Sequence, residues 1–399
     1  RDARMYQFIE PELSFDSKTR QPASYVRSRI QISKAVRSAR LEMTALGVYI
    51  GFFNGERLTE EELLPGFTDY RHRVQVQSYD VTDRIQTGEN VMAAVIGDGW
   101  YRGGLGAASV RNQFGKRLAW MCRLSVVYQD GTEDVFEADS DTRATQNGPV
   151  GTNDNKIGEE YDARKEMPGW NAPGYDDSGW HGVKPVSYTG QLIEHEGEPI
   201  LRHESFSPSV ISTPNGETVL DFGQNMMGRM RFRLTAKAGD TVTLTFGETL
   251  DENGNFTLDN LNIPGAGKFV SKELQKLVYT CKAGGQEYEP QFLICGFRYV
   301  RVEGWPEAIR SENFKAFAIY SDLPETGSFS CSNEKINRFV QNVRWSQKSN
   351  FVDIPTDCPT RERAGWTADI SIFAKTACYP TDTRKFLRKW MRDYRLEQL

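Results

Sequence analysis

The residues of this chain best suited to chemistry lie together in Asp353-Ile-Pro-Thr-Asp357-Cys-Pro-Thr-Arg361-Glu362-Arg363-Ala-Gly-Trp366-Thr-Ala-Asp369. Carboxyl groups, guanidinium groups and an indole in so short a span fit proton transfer and the holding of a polyhydroxylated ligand. The prolines and the glycine predict a structured loop, and Thr367 is placed to cap a following helix. Asp369 then falls in the first helical turn, where free N–H groups and the helix dipole favour an ionised carboxylate, an acceptor for sugar hydroxyls. Glu362 precedes that turn beside Trp366, and burial against an indole raises a carboxyl pKa toward that of a general acid. Arg361 and Arg363 oppose this by flanking Glu362. The reading therefore needs both guanidinium groups turned toward other partners, such as Asp357 or Asp353. A loop stapled by ion pairs ahead of a capped helix fits the same spacing, so the residues alone leave both readings open.

Other chemistries are disfavoured. Four histidines (His72, His181, His195, His203) form no His-Glu-x-x-His pattern, which argues against a transition-metal enzyme. Six cysteines lie far apart with no Cys-x-x-Cys pair and are expected to be mostly free thiols. Cys358 lies inside the polar segment, but no histidine follows in the helices, so it reads as a small buried hydrophobe rather than a nucleophile. Asp251-Glu-Asn-Gly-Asn255 lacks the alternating acids and terminal Glu of a calcium loop and reads as a hairpin turn. Asn255-Phe-Thr257 is a sequon that matters only in a glycosylating secretory pathway.

The elements that must position the polar segment follow from periodicity. Between about 25 and 136 the period is two: Leu41, Met43 and Ala45 alternate with Arg40, Glu42 and Thr44, and Val48, Ile50 and Phe52 run into Asn54-Gly55. Leu124, Val126 and Tyr128 likewise lead to Asp130-Gly131. A first β-sandwich is expected. Residues 147–198 are rich in Gly, Pro, Asn and Asp and read as long loops or a link. Met230, Phe232 and Leu234, then Val242, Leu244 and Phe246, then 297–302 and 314–320 predict a second sandwich. After Pro324 and Gly327 the period becomes helical: Ser332 caps a helix carrying Ile336, Phe339, Val340 and Val343 on one face. Trp366, Ile370, Phe373 and Ala377 form a second face, and Phe386, Trp390 and Tyr394 a third. The charges of Arg384 to Arg395 are expected to face water. About three helices fit in 328–399. That is too few to enclose a cleft, so the helical domain is expected to be incomplete. The expected domains are 1–199, 200–322 and 323–399.

A net charge of −5 and a pI near 5.7 give no basic footprint, so nucleic acid is not an expected partner. No apolar run approaches the roughly 20 residues that span a bilayer, and no membrane partner is expected. Arg1 is not an initiator methionine, so cytoplasm, periplasm and secretion all stay open. Oligomeric state is not readable.

The polar segment resembles the signature of the bacterial α-L-rhamnosidases of glycoside hydrolase family 78: Asp-Cys-Pro, then Arg, then Glu-Arg-x-Gly-Trp, then Asp. Thr44-Ala-Leu-Gly-Val-Tyr-Ile with Asn54-Gly55, Pro65-Gly-Phe-Thr-Asp-Tyr70, Tyr79-Asp-Val-Thr82 and Gly97-Asp-Gly-Trp-Tyr-Arg-Gly103 resemble that family's N-terminal β-domain. Asp221-Phe-Gly-Gln-Asn-Met226, Gly247-Glu-Thr-Leu-Asp251 and Gly296-Phe-Arg-Tyr-Val300 resemble its central sandwich. The resemblance runs from about Ala39 to the end. It implies two jelly-roll-like β-sandwiches followed by the first helices of a truncated α/α toroid, acting on a rhamnose-containing glycoside or polysaccharide without a cofactor. It further implies that Glu362 is the general acid of an inverting reaction, that Asp357, Arg361 and Asp369 hold rhamnose hydroxyls, and that Trp366 packs near the sugar's methyl group. For Trp366 a place in the core of the first helix stays open. The water-activating glutamate is expected beyond Leu399, so this chain alone is expected to turn over little. Two other readings stay open: a non-catalytic carbohydrate-binding protein, and a toroid glycosidase for another sugar.

Overall fold

The structure is a computed structural model that describes residues 6–16, 18–262 and 274–398. The chain forms two compact units, one of residues 1–102, 112–152 and 165–196, the other of 103–111, 153–164 and 197–399.

Among the described residues the first unit has two sheets. One runs Val183–Val186, Phe8–Pro11, Ala119–Tyr128, Val36–Leu46, Arg73–Asp80, Gln191–Glu194, with Glu133–Glu137 also on Ala119–Tyr128. The other runs Arg143–Thr145, Ser24–Ile32, Gly88–Gly97, Val48–Phe53, Glu56–Arg57. Trp120, Leu41, Met43, Phe53 and Ile96 are fully buried and form its core. The Asn54-Gly55 hairpin turns as expected, both residues having positive φ (49° and 88°), the geometry of a tight β-turn that matches strand twist. The expected alternation fails in more than one place. From Val48 to Phe53 the buried residues include Tyr49, Gly51 and Phe53, whereas Ile50 and Phe52 are only half-buried. Leu41 to Leu46 are all buried, because Val36–Leu46 is an interior strand whose two faces are both covered. Thr44 is tolerated there because its hydroxyl donates to the Gln75 carbonyl at 2.6 Å.

In the second unit the strand order is Gly158–Asp162, Lys276–Thr280, Thr241–Gly247, Cys295–Glu303, Thr218–Ala236, Phe314–Ser321, Ile200–Phe206. Thr218–Ala236 is long and pairs with different strands along its length. Its first part pairs with Ser209–Ser212 and Cys295–Glu303, and its last part with Phe314–Ser321 and Gly284–Tyr288, with a register shift between Asp221 and Met226. Phe232, Phe246, Phe297 and Val300 are buried in the core of this unit.

Three helices close the chain: α1 (Glu334–Asn350), α2 (Thr367–Ala377) and α3 (Arg384–Leu396). The starts of α1 and α2 differ from expectation by one residue. Asn333, not Ser332, caps α1, its side chain accepting from the N–H groups of Lys335 and Ile336. Thr367 is the first residue of α2 rather than its cap, and Trp366 precedes it without a capping bond. On α3, Lys389 does not face water but is buried and paired with Asp353 at 2.9 Å. Ile370, Ala377, Phe386 and Trp390 are buried as their spacing required, whereas Phe339 and Ile372 stand exposed. No helix among the described residues is long and apolar enough to cross a membrane.

Candidate active site

The polar segment opens with a minimal hairpin in which Phe351–Val352 pairs with Ile354–Pro355 around Asp353, at φ 65°. Asp353 is fixed there by its ion pair with Lys389 and by a bond from its N–H to the Ser321 hydroxyl at 2.8 Å. The next turn closes on itself. Asp357 N–H donates to the Ala364 carbonyl, and the Ala364 N–H donates back to Asp357 Oδ1, each at 3.1 Å. Inside this ring Cys358 Sγ accepts the N–H of Glu362 at 3.3 Å, so the cysteine shapes the loop.

Close approach of backbone docks the ring on the sandwich. A Cβ on Gly296, in strand Cys295–Glu303, would lie 2.6 Å from the Pro359 carbonyl oxygen and 2.8 Å from Thr360 Cγ2, so only glycine lets the loop settle there. Gln275 bridges the same place, accepting from Gly296 N–H at 2.8 Å and from Arg363 Nη2 at 3.0 Å. Glu248 accepts from Thr360, Asn225 and Asn260 side chains. Three motifs that lie far apart in the chain thus meet at this loop, which periodicity had no means of indicating.

Arg363 answers half of the question posed by the two arginines. It is buried, and its guanidinium donates to Pro359 O at 3.0 Å, to Asn155 O at 2.8 Å and to Gln275, so it is turned away from Glu362. Arg361 donates to Asn260 O at 3.3 Å while its Nε stays 3.9 Å from Glu362 Oε1. Neither arginine pairs with Asp353 or Asp357, contrary to the partners suggested by sequence.

The Glu362 side chain, 18% exposed, accepts the indole N–H of Trp366 at 2.7 Å on Oε2. The indole therefore meets the carboxylate through its polar N–H edge, where the sequence suggested apolar burial against the ring. Trp366 is 52% exposed and is not a core residue in this chain. Burial holds Asp357 above the usual aspartate range, with the charge of Glu362 adding to the effect and hydrogen bonds from Cys358 and Ala364 opposing it. Asp369 is exposed in the first turn of α2. Asp357 and Asp369 line one pocket of about 290 Å³ with Phe351, Ile370 and Phe373; Arg361, Glu362 and Trp366 are not among its lining residues.

Two segments from the N-terminal half of the chain also reach this site as part of the second unit. In 103–111, Gly106 N–H donates to the Glu362 carbonyl at 3.1 Å. In 153–164, Asn155 O receives Arg363, and the buried Lys156 has its ammonium pushed down to about 8 by burial and by the Arg363 charge. Sequence reading placed these residues in the first domain and its loops. Nothing in their composition marks them as neighbours of Glu362.

Three family models match the chain in order: α-L-rhamnosidase N-terminal domain at 34–204, bacterial α-L-rhamnosidase concanavalin-like domain at 211–320, and bacterial α-L-rhamnosidase 6 hairpin glycosidase domain at 324–399. A curated α-L-rhamnosidase of Streptomyces avermitilis is 39% identical over 367 residues, covering 91% of this chain and 35% of that protein. The crystal structure of the α-L-rhamnosidase of Aspergillus terreus superposes with a TM-score of 0.92 at 35% identity, over 99% of this chain and 45% of that one. That of the Streptomyces avermitilis enzyme complexed with L-rhamnose gives 0.89 at 37% identity, over 96% and 36%. The chain thus spans less than half the length of each of these relatives.

Proposed function

The chain belongs to the bacterial α-L-rhamnosidase family, and from that premise we propose that it carries the acid side of a site releasing terminal α-linked L-rhamnose. Glu362 protonates the glycosidic oxygen as the bond to the sugar breaks. Asp357, Arg361 and Asp369 hold rhamnose hydroxyls, and the exposed face of Trp366 takes the apolar side of the ring near its methyl group. The reaction is a single displacement with inversion, in which a second carboxylate at roughly 6.5–9.5 Å activates water on the opposite face. We assign that second role to no residue of this chain. No cofactor takes part. In chain order the domains divide near 199 and 322, with 103–111 and 153–164 serving the second.

The observation that carries this reading is the setting of Glu362. Its carboxylate is partly open to solvent, oriented by Trp366 Nε1, and sits on a loop whose adjacent arginine, Arg363, is fully engaged elsewhere. The test is Glu362→Gln in the full-length enzyme. Hydrolysis of rhamnosides with poor leaving groups should fall by about 10²–10⁴-fold, with rhamnose affinity retained. Wild-type turnover in that variant would overturn the assignment.

A further inference from the structure

Lys156 is almost wholly buried, a position that disfavours an ammonium unless its protons are engaged. Its Nζ donates to Gly106 O at 2.6 Å and to Ser109 Oγ at 2.9 Å. Both acceptors belong to a small hairpin within 103–111 that is closed by paired bonds between Leu105 and Val110 at 3.0 and 3.1 Å. Gly106, whose carbonyl the lysine holds, gives its own N–H to the Glu362 carbonyl. The lysine is itself held in place. Asp154 Oδ1 accepts the N–H groups of Lys156 and Ile157 at 3.0 and 2.9 Å, and Asp154 Oδ2 accepts that of Gly104 at 2.7 Å. Between Asp154 and Lys156, Asn155 O takes the guanidinium of Arg363, the residue after Glu362. One turn therefore grips the main chain on both sides of the acid, through the hairpin at Glu362 and directly at Arg363.

We infer that Lys156 is a positioning residue for the general acid: by anchoring the 103–111 hairpin it fixes the backbone of Glu362 and so the direction of its carboxyl. The inference rests on the acid role proposed above. Lys156 touches no reacting atom. Its effect falls on proton delivery, which tolerates little misplacement, and leaves sugar binding by Asp357, Arg361 and Asp369 in place.

Leaving-group dependence is the readout that a merely structural role would not move, because an activated phenol departs without a proton. In the full-length enzyme, Lys156→Met should lower kcat by about tenfold or more on an alkyl or phenyl α-L-rhamnoside but by less than about threefold on the 2,4-dinitrophenyl rhamnoside, with KM little changed. Lys156→Arg should recover part of the loss on the poor substrate. An equal loss on both substrates, or no loss on either, would overturn the inference. If circular dichroism shows Lys156→Met unfolded, Ser109→Ala removes one of the two acceptors with no change of charge. It should show the same selective loss at smaller amplitude, and a uniform loss or none there refutes the inference equally. Glu362→Gln assayed alongside separates the two claims. If it keeps its activity on poor substrates, the acid assignment fails; if it loses that activity while the Lys156 and Ser109 variants lose none, only the positioning role fails.

Discussion

At Asp357 burial and the proposed sugar-binding role pull in different directions. A carboxylate that accepts sugar hydroxyls must be ionised, yet burial, helped by the nearby charge of Glu362, raises its pKa. A carboxyl with a raised folded pKa takes up its proton earlier as pH falls, so acidification favours the folded state at this residue while weakening its power as an acceptor. Rhamnose affinity should therefore begin to decline on acidification at a pH above the ordinary aspartate range, and Asp357→Asn should bind more weakly with that step removed. Calorimetric titration of rhamnose across the acid range checks this; an unchanged step in the asparagine variant would remove Asp357 from the list of sugar ligands. Arg363 shows the complementary principle. Its charge is buried with no carboxylate in ion-pair contact among the described residues, and carbonyl and amide oxygens satisfy it instead.

At the scale of elements, the loop and the sandwich are fitted by close backbone approach. Gly296 sits where strand Cys295–Glu303 passes under Pro359, and even a methyl group would collide with a carbonyl oxygen at 2.6 Å. Gly296→Ala should destabilise the second unit by about 1–3 kcal/mol, read by denaturant unfolding. It should also weaken rhamnose binding, since Asp357 and Arg361, the proposed sugar ligands, ride on the displaced loop. Wild-type stability and affinity in that variant would mean that the loop is not held there. The helices carry a related lesson. The spacing of apolar residues locates all three, yet the start of α1 is fixed by the side chain of Asn333, and the burial of Lys389 is compensated by the carboxylate of Asp353, 36 residues away.

Over the whole molecule, the second compact unit is assembled from three stretches of chain, and the two short ones, 103–111 and 153–164, bring indispensable partners. Buried Glu159 accepts the N–H groups of Gln291, Phe292 and Leu293 at 2.7–3.0 Å, strand Gly158–Asp162 pairs in parallel with Lys276–Thr280, and Asn155 receives Arg363. A fragment beginning at 197 leaves all of these groups unpaired. It should be markedly less stable than the same residues in the full chain, as measured by thermal unfolding; equal stability would show that the short stretches are ornamental. By itself the sequence determined the strand-rich first part, the hairpin at Asn54-Gly55, the helical run after Gly327 and the concentration of chemistry between Asp353 and Asp369. These are legible because they rest on local periodicity, turn chemistry and residue type. Only the tertiary structure decided which groups surround Glu362. Arg363 and Asn155 are 208 residues apart and Arg363 and Gln275 are 88 apart. Such pairings depend on how the chain crosses between units, and no short-range pattern encodes that route.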